Sequence, residues 1–185
     1  MKKLCLFILL ILVLSACNQL NNDSNEHEGP LSNEAASTVQ TLPENMPNDF
    51  GFSIQFGVRK NNEINTFENT VTKDLITDGT AKADITLTDE EMDKIYEKMK
   101  EINIVEKKKF TPEPINGTIC TLEPYEEDEW KITMNGETTT YSVSGTYCEP
   151  TNDAKQLIEL RNYVFSIIRS KKEYIELPES KGGYE

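Results

Sequence analysis

Apolar and polar positions alternate most cleanly between Phe50 and Arg59. Phe50, Phe52, Ile54, Phe56 and Val58 are separated by Gly51, Ser53, Gln55, Gly57 and Arg59. A period of two with one apolar face predicts a half-buried strand. Asn61-Asn62 predicts a turn, and a Thr-rich second strand follows from about Ile64 to Ile76. A third strand runs from Thr80 to Leu87. Asp78-Gly79 between them suits a two-residue type I′ hairpin or a three-residue loop with a bulge at Gly79. The bulged register sets Leu75 against Ala81, Lys73 against Ala83 and Val71 against Ile85. It keeps more apolar residues on one face, so it is the expected one.

The period then changes to that of a helix. Thr88-Asp89-Glu90-Glu91 reads as a capping box, and Met92, Ile95, Tyr96, Met99 and Ile102 follow at helical spacing. The predicted helix spans about Asp89 to Glu101. A short strand is expected near Ile104 to Phe110, a break at Thr111-Pro112-Glu113-Pro114, and another strand at Thr118 to Leu122. Trp130, Ile132 and Met134 alternate up to Asn135-Gly136, the strongest hairpin signal in the chain. A two-residue turn there pairs Met134 with Glu137, Ile132 with Thr139 and Trp130 with Tyr141. Ala154, Leu157, Leu160, Val164, Ile167 and Ile168 form the stripe of a last helix, about Asn152 to Ser170. Together these predict an α+β fold: an antiparallel sheet of about six or seven strands in β-β-β-α-β-β-β-α order, with two helices on one face.

The N-terminus follows a different pattern. Lys2 and Lys3 precede an apolar run from Leu4 to Leu14, too short to span a bilayer as a helix. Leu14-Ser15-Ala16-Cys17 closes it with two small residues and a cysteine. This segment resembles a bacterial lipoprotein signal. The resemblance implies removal of residues 1–16, diacylation of Cys17 and attachment to the extracytoplasmic face of the cell membrane. Residues 17–48 are rich in Asn, Ser, Glu, Gln and Pro, and read as a flexible tether with a reach of about 30 Å. Residues 49–177 are expected to form a single α+β domain, and residues 178–185 a C-terminal tail.

The net charge is −13, and it becomes more negative once Lys2 and Lys3 leave. That argues against nucleic acid, which needs a basic footprint, and against lying flat on an anionic bilayer. Of the four cysteines, Cys5 leaves with the signal and Cys17 is the lipidation site. Cys120 and Cys148 remain as a pair in an exported domain, for which a disulfide is the default. A metal or redox pair is the alternative, but no CxxC spacing occurs.

Catalytic motifs are scarce. The single histidine, His27, falls in the tether, so the domain has no His for Ser-His-Asp or Cys-His chemistry. No GxSxG, P-loop, GxGxxG or HExxH motif occurs. Glu123, Glu126, Glu127, Asp128 and Glu129 could supply an acid pair for glycoside cleavage, but read first as a solvated acidic loop. No cofactor and no metal site is expected. Trp130 and Tyr141, with Glu126, Glu127 and Asp128, form the candidate binding surface, although the two aromatics also suit sheet packing.

The run Thr72-Lys73-Asp74-Leu75-Ile76, the hairpin carrying Trp130, and the ending Ser170-Lys171-Lys172-Glu173-Tyr174 to Leu177-Pro178 add to the lipoprotein signal. With it they resemble the small lipoproteins of Gram-positive bacteria, a resemblance that carries no activity with it. The expected function is therefore a non-enzymatic, membrane-anchored binding module for a protein, peptide or envelope component, acting as a monomer. The rival expectations are an inhibitor of an exported protease or wall lytic enzyme, presenting a rigid loop near Glu123 to Asp128, and an acid-pair hydrolase.

Overall fold

The computed structural model describes residues 41–185. The signal segment, Cys17 and most of the tether lie outside the described residues. Four strands come first: β1 (Gly51–Gly57), β2 (Asn62–Asn65), β3 (Thr70–Ile76) and β4 (Gly79–Asp84). Helix α1 (Asp89–Glu101) follows, then β5 (Glu127–Met134) and β6 (Glu137–Ser144). Helix α2 (Asn152–Arg169) and a single turn, α3 (Lys172–Ile175), complete the order. The six strands form one antiparallel sheet in the order β4-β3-β2-β1-β5-β6. The chain starts mid-sheet with β1, meanders to one edge, and returns through α1 to build the other side.

The α+β class and the packed helices agree with the sequence reading, but the strands divide four and two rather than three and three. The expected strand from Ile64 to Ile76 is two strands. Asn65 Oδ1 accepts from the N–H groups of Phe67 (3.0 Å) and Glu68 (3.2 Å), and Asn69 takes a left-handed φ of 54°. An Asx turn therefore folds the Thr-rich segment back on itself. The expected strands at Ile104–Phe110 and Thr118–Leu122 do not form. The chain after α1 turns at Asn103 (φ 44°) and tucks Ile104 into the core. Residues 118–122 contribute only isolated bridges.

The β3–β4 register also differs from expectation. Lys73 faces Ala81 and Val71 faces Ala83, two residues from the expected pairing, so the alanines keep the face of Val71. The irregularity sits on β3 between Asp74 and Ile76, where Asp74 Oδ1 accepts from Ile76 N–H at 2.9 Å. Ile76 takes a φ of 64°, which β-branched residues rarely adopt.

Alternation along β1 buries Phe52, Ile54 and Phe56 beneath α1 and α2, together with Ile64, Val71, Trp130 and Ile132. Helix α1 contributes Ile95, Tyr96 and Met99, and α2 contributes Leu157, Leu160, Val164 and Ile168. The opposite face of the sheet carries Ser53, Gln55, Glu63, Lys131, Thr140 and Ser142, all of them polar. Phe67 lies against this face at Gly51, where a Cβ would sit 2.7 Å from its ring.

Both ends of the folded unit are held in place. Leu42 and Met46, assigned to the tether by composition, pack on the core, and Tyr96 donates to the Pro43 carbonyl at 2.9 Å. Residues 180–184, assigned to a tail, bond back to β3. Lys181 N–H donates to the Leu75 carbonyl, and the Tyr184 hydroxyl donates to Asp74 Oδ2 at 2.5 Å. Among the described residues no helix is long and apolar enough to cross a membrane.

Candidate functional site

The acidic segment before β5 does not present one acidic surface, because strand alternation separates its members. Glu126 is exposed, Glu127 takes the polar face of the sheet, and Asp128 turns into the core side with its side chain 3% exposed. Arg161, on the inner face of α2, meets two of the three. Its Nε donates to Asp128 Oδ2 at 3.2 Å and its Nη2 to Glu126 Oε2 at 3.0 Å. The guanidinium also lies 5.3 Å from the centre of the Phe56 ring, a cation–π contact. Burial pushes the Asp128 carboxyl up to about 6, against the pull of Arg161. This cluster pins the start of β5 to α2, and a cleft of about 230 Å³ opens beside it between Tyr125, Val143 and Ile158.

A loop spanning residues 111–126 leads into the pinned strand. Pro112, Pro114 and Pro124 restrict it. Asn116 and Gly117 take φ values of 52° and 78°, and Ile115 and Thr118 exchange both backbone hydrogen bonds, which makes a two-residue hairpin turn. Behind the turn, Cys120 and Cys148 stand at disulfide distance, with Cα atoms 5.5 Å apart. Cys148 N–H donates to the Cys120 carbonyl at 3.2 Å, and Leu122 N–H to the Thr146 carbonyl at 2.7 Å. The open end of the β5–β6 hairpin is thus continued and clipped, as the cysteine positions predict. Gly145 makes room at the join, since a Cβ there would lie 2.8 Å from the Glu126 carbonyl oxygen.

The clipped loop displays apolar side chains. Ile115 is 68% exposed and Leu122 51%, on either side of the disulfide. A groove of about 220 Å³ runs between Pro112, Ile115, Ile119 and the two cysteines, with Glu113 and Glu149 at its margin. A braced, Pro-restricted loop loses little ordering entropy when it meets another surface.

The aromatic half of the expected surface is corrected. Trp130 is fully buried, and its indole N–H has no hydrogen-bond partner among the described residues. It faces Tyr141 across the hairpin as the pairing predicts, but beneath the helices. Tyr141 is half-buried, its ring edge-on to Phe110 and its hydroxyl bonded to the Ile104 carbonyl. Trp130 is thus withdrawn from the surface, whereas Tyr141 keeps part of its ring there. Of the expected acidic members, Glu126 and Glu127 reach solvent and Asp128 does not.

Sequence reasoning missed the Asn116-Gly117 turn, although Asn-Gly is the same signal that marks the β5–β6 turn. It also missed Arg161, whose place within an apolar helical stripe was visible. Among the described residues no group of three or more His, Cys, Asp or Glu side chains is arranged to hold a metal ion. The chain matches no protein family, no curated protein and no solved structure.

Proposed function

We propose that this chain is a lipid-anchored extracytoplasmic binding module, joined to the membrane through Cys17, that docks an envelope protein or peptide through its disulfide-clipped loop. The outward display of Ile115 and Leu122 on a loop braced by Cys120–Cys148 carries the reading. The module is non-enzymatic: Asp128, the acidic residue with a raised proton affinity, is committed to Arg161. A second reading is favoured by the same loop. A rigid, exposed apolar segment is also what an inhibitor of an exported protease or lytic enzyme inserts into its target, and the acidic surface would steer it toward a basic enzyme.

The test is capture of partners from native envelopes by the full chain and by a variant carrying Ile115→Asp and Leu122→Asp. A saturable protein partner retained by the parent and lost by the variant supports the proposal. If that partner is a hydrolase slowed by the parent chain, the inhibitor reading prevails. Equal capture by both chains contradicts the loop as the docking element.

A further inference from the structure

A second cleft shares the Pro124–Tyr125 segment with the first but contains neither Ile115 nor Leu122. It holds about 370 Å³ between Val58 and Arg59, the residues Glu123, Pro124, Tyr125 and Glu127, and the closing segment at Tyr184 and Glu185. That volume falls within the range of small-molecule sites. We infer that this cleft binds a hydroxylated ring without negative charge, a sugar unit of an envelope glycan, held by Arg59, Tyr125, Tyr184, Glu123 and Glu127.

The backbone supplies the first argument. Arg59 and Lys60 follow one another with φ values of 59° and 56°, left-handed conformations that non-glycine residues adopt at a cost. Gly57, two residues earlier, already provides a flexible turn point with a φ of 91°. The strain places Arg59 at the cleft wall. Lys60 engages Glu129 at 2.5 Å, whereas Arg59 makes no ion pair among the described residues. The left-handed pair closes the β1–β2 hairpin, and in doing so it brings an uncommitted guanidinium to the cleft.

The second argument is a fixed aromatic wall. The Tyr184 hydroxyl donates to Asp74 Oδ2 at 2.5 Å and accepts from Asn61 Nδ2 at 3.0 Å. Asp74 is itself buried. The hydroxyl's proton is committed to Asp74, which fixes the ring at the cleft. Tyr125 contributes a second, half-buried ring on the same cleft.

Charge selects among ligands. Three carboxylates, Glu123, Glu127 and Glu185, line the cleft against the single guanidinium of Arg59, so an anion is disfavoured. A neutral polyol satisfies both: its hydroxyls donate to the carboxylates, its oxygens accept from the guanidinium, and its C–H face lies on tyrosine. The geometry thus favours a neutral sugar over its anionic analogue.

The test is an amide NMR titration of the full chain in a detergent without a sugar headgroup. The probes are N-acetylglucosamine and glucuronate as its anionic analogue. The expected result is saturable shifts at Arg59, Tyr125 and Tyr184 with N-acetylglucosamine, at least fivefold weaker with glucuronate. Tyr125→Ala weakens binding about tenfold. Arg59→Gly weakens it to a similar degree while leaving the thermal midpoint equal or higher, because glycine tolerates the left-handed turn. No shifts at the cleft with N-acetylglucosamine, equal or tighter binding of glucuronate, or binding indifferent to both substitutions would overturn the inference.

Discussion

Arg161 and Asp128 show how one helical position can organise a loop. Asp128 sits on β5 where alternation points it inward, and a buried carboxyl at that place needs a partner. In the native state its pKa is raised from 3.8 to about 6, so the folded chain holds that proton longer than the unfolded chain does. Its contribution to stability is therefore complete below pH ~4 and is lost as pH rises through about 6. The size of the change is about 3 kcal/mol. Urea unfolding at several pH values, with the Asp128→Asn curve subtracted from the parent curve, should show a difference that falls across this window. A flat or rising difference would contradict it. Gly145 gives a second prediction at this scale. A Cβ there meets a backbone carbonyl that cannot rotate away, so Gly145→Ala should destabilise by about 1–3 kcal/mol in the same assay.

Local signals decided how well each element could be read. Helix α1 was legible to its ends because Thr88 and Glu91 satisfy each other's backbone N–H groups, at 3.3 and 2.8 Å, before the apolar stripe begins. Thr88→Ala should cost about 1 kcal/mol in thermal or urea unfolding, whereas Thr88→Ser should cost much less. The β5–β6 hairpin was legible because Asn135-Gly136 admits one register, and Asp49 accepts from both of its N–H groups, at 2.8 and 2.6 Å. Gly136 and then Asn135 hold the Asp49 carboxyl below its usual range, so this cap is present near neutrality and weakens on acidification. The β3–β4 register was not legible. Asp74 bonds to Ile76 N–H and to Tyr184, a residue far away in sequence, and those contacts fix a bulge that pairing arithmetic alone would put at Gly79. The candidate site was legible only in outline. The cysteines and the acidic run marked the right region, but which carboxylates face water depended on the phase of β5. Alternation suited Trp130 both to sheet packing and to a binding surface, and the helices that cover it decide for packing.

On the scale of the whole molecule, the sheet separates two tasks. One face is sealed by α1 and α2, and the other is polar. The two clefts, the clipped loop and the Arg161 cluster gather at the end of the sheet where β5 begins. Residues 42–47 reach the core against α1, and the closing segment returns to β3, so the folded unit extends beyond the limits that composition suggested at both ends. The Cys120–Cys148 link closes a sequence separation of 28, and its removal should cost about 3 to 4 kcal/mol in the chain-entropy account. Paired Cys120→Ser and Cys148→Ser substitutions should lower the unfolding midpoint. In the binding account they should also weaken partner capture, because the loop then loses its brace.

The most direct test is photo-crosslinking in native cells, with a photoreactive side chain placed at position 115 on the loop or at position 140 on the polar sheet face. The account predicts a discrete adduct with one envelope partner from position 115, and none from position 140. No adduct from position 115, or the same adduct from both positions, would contradict the loop as the docking element.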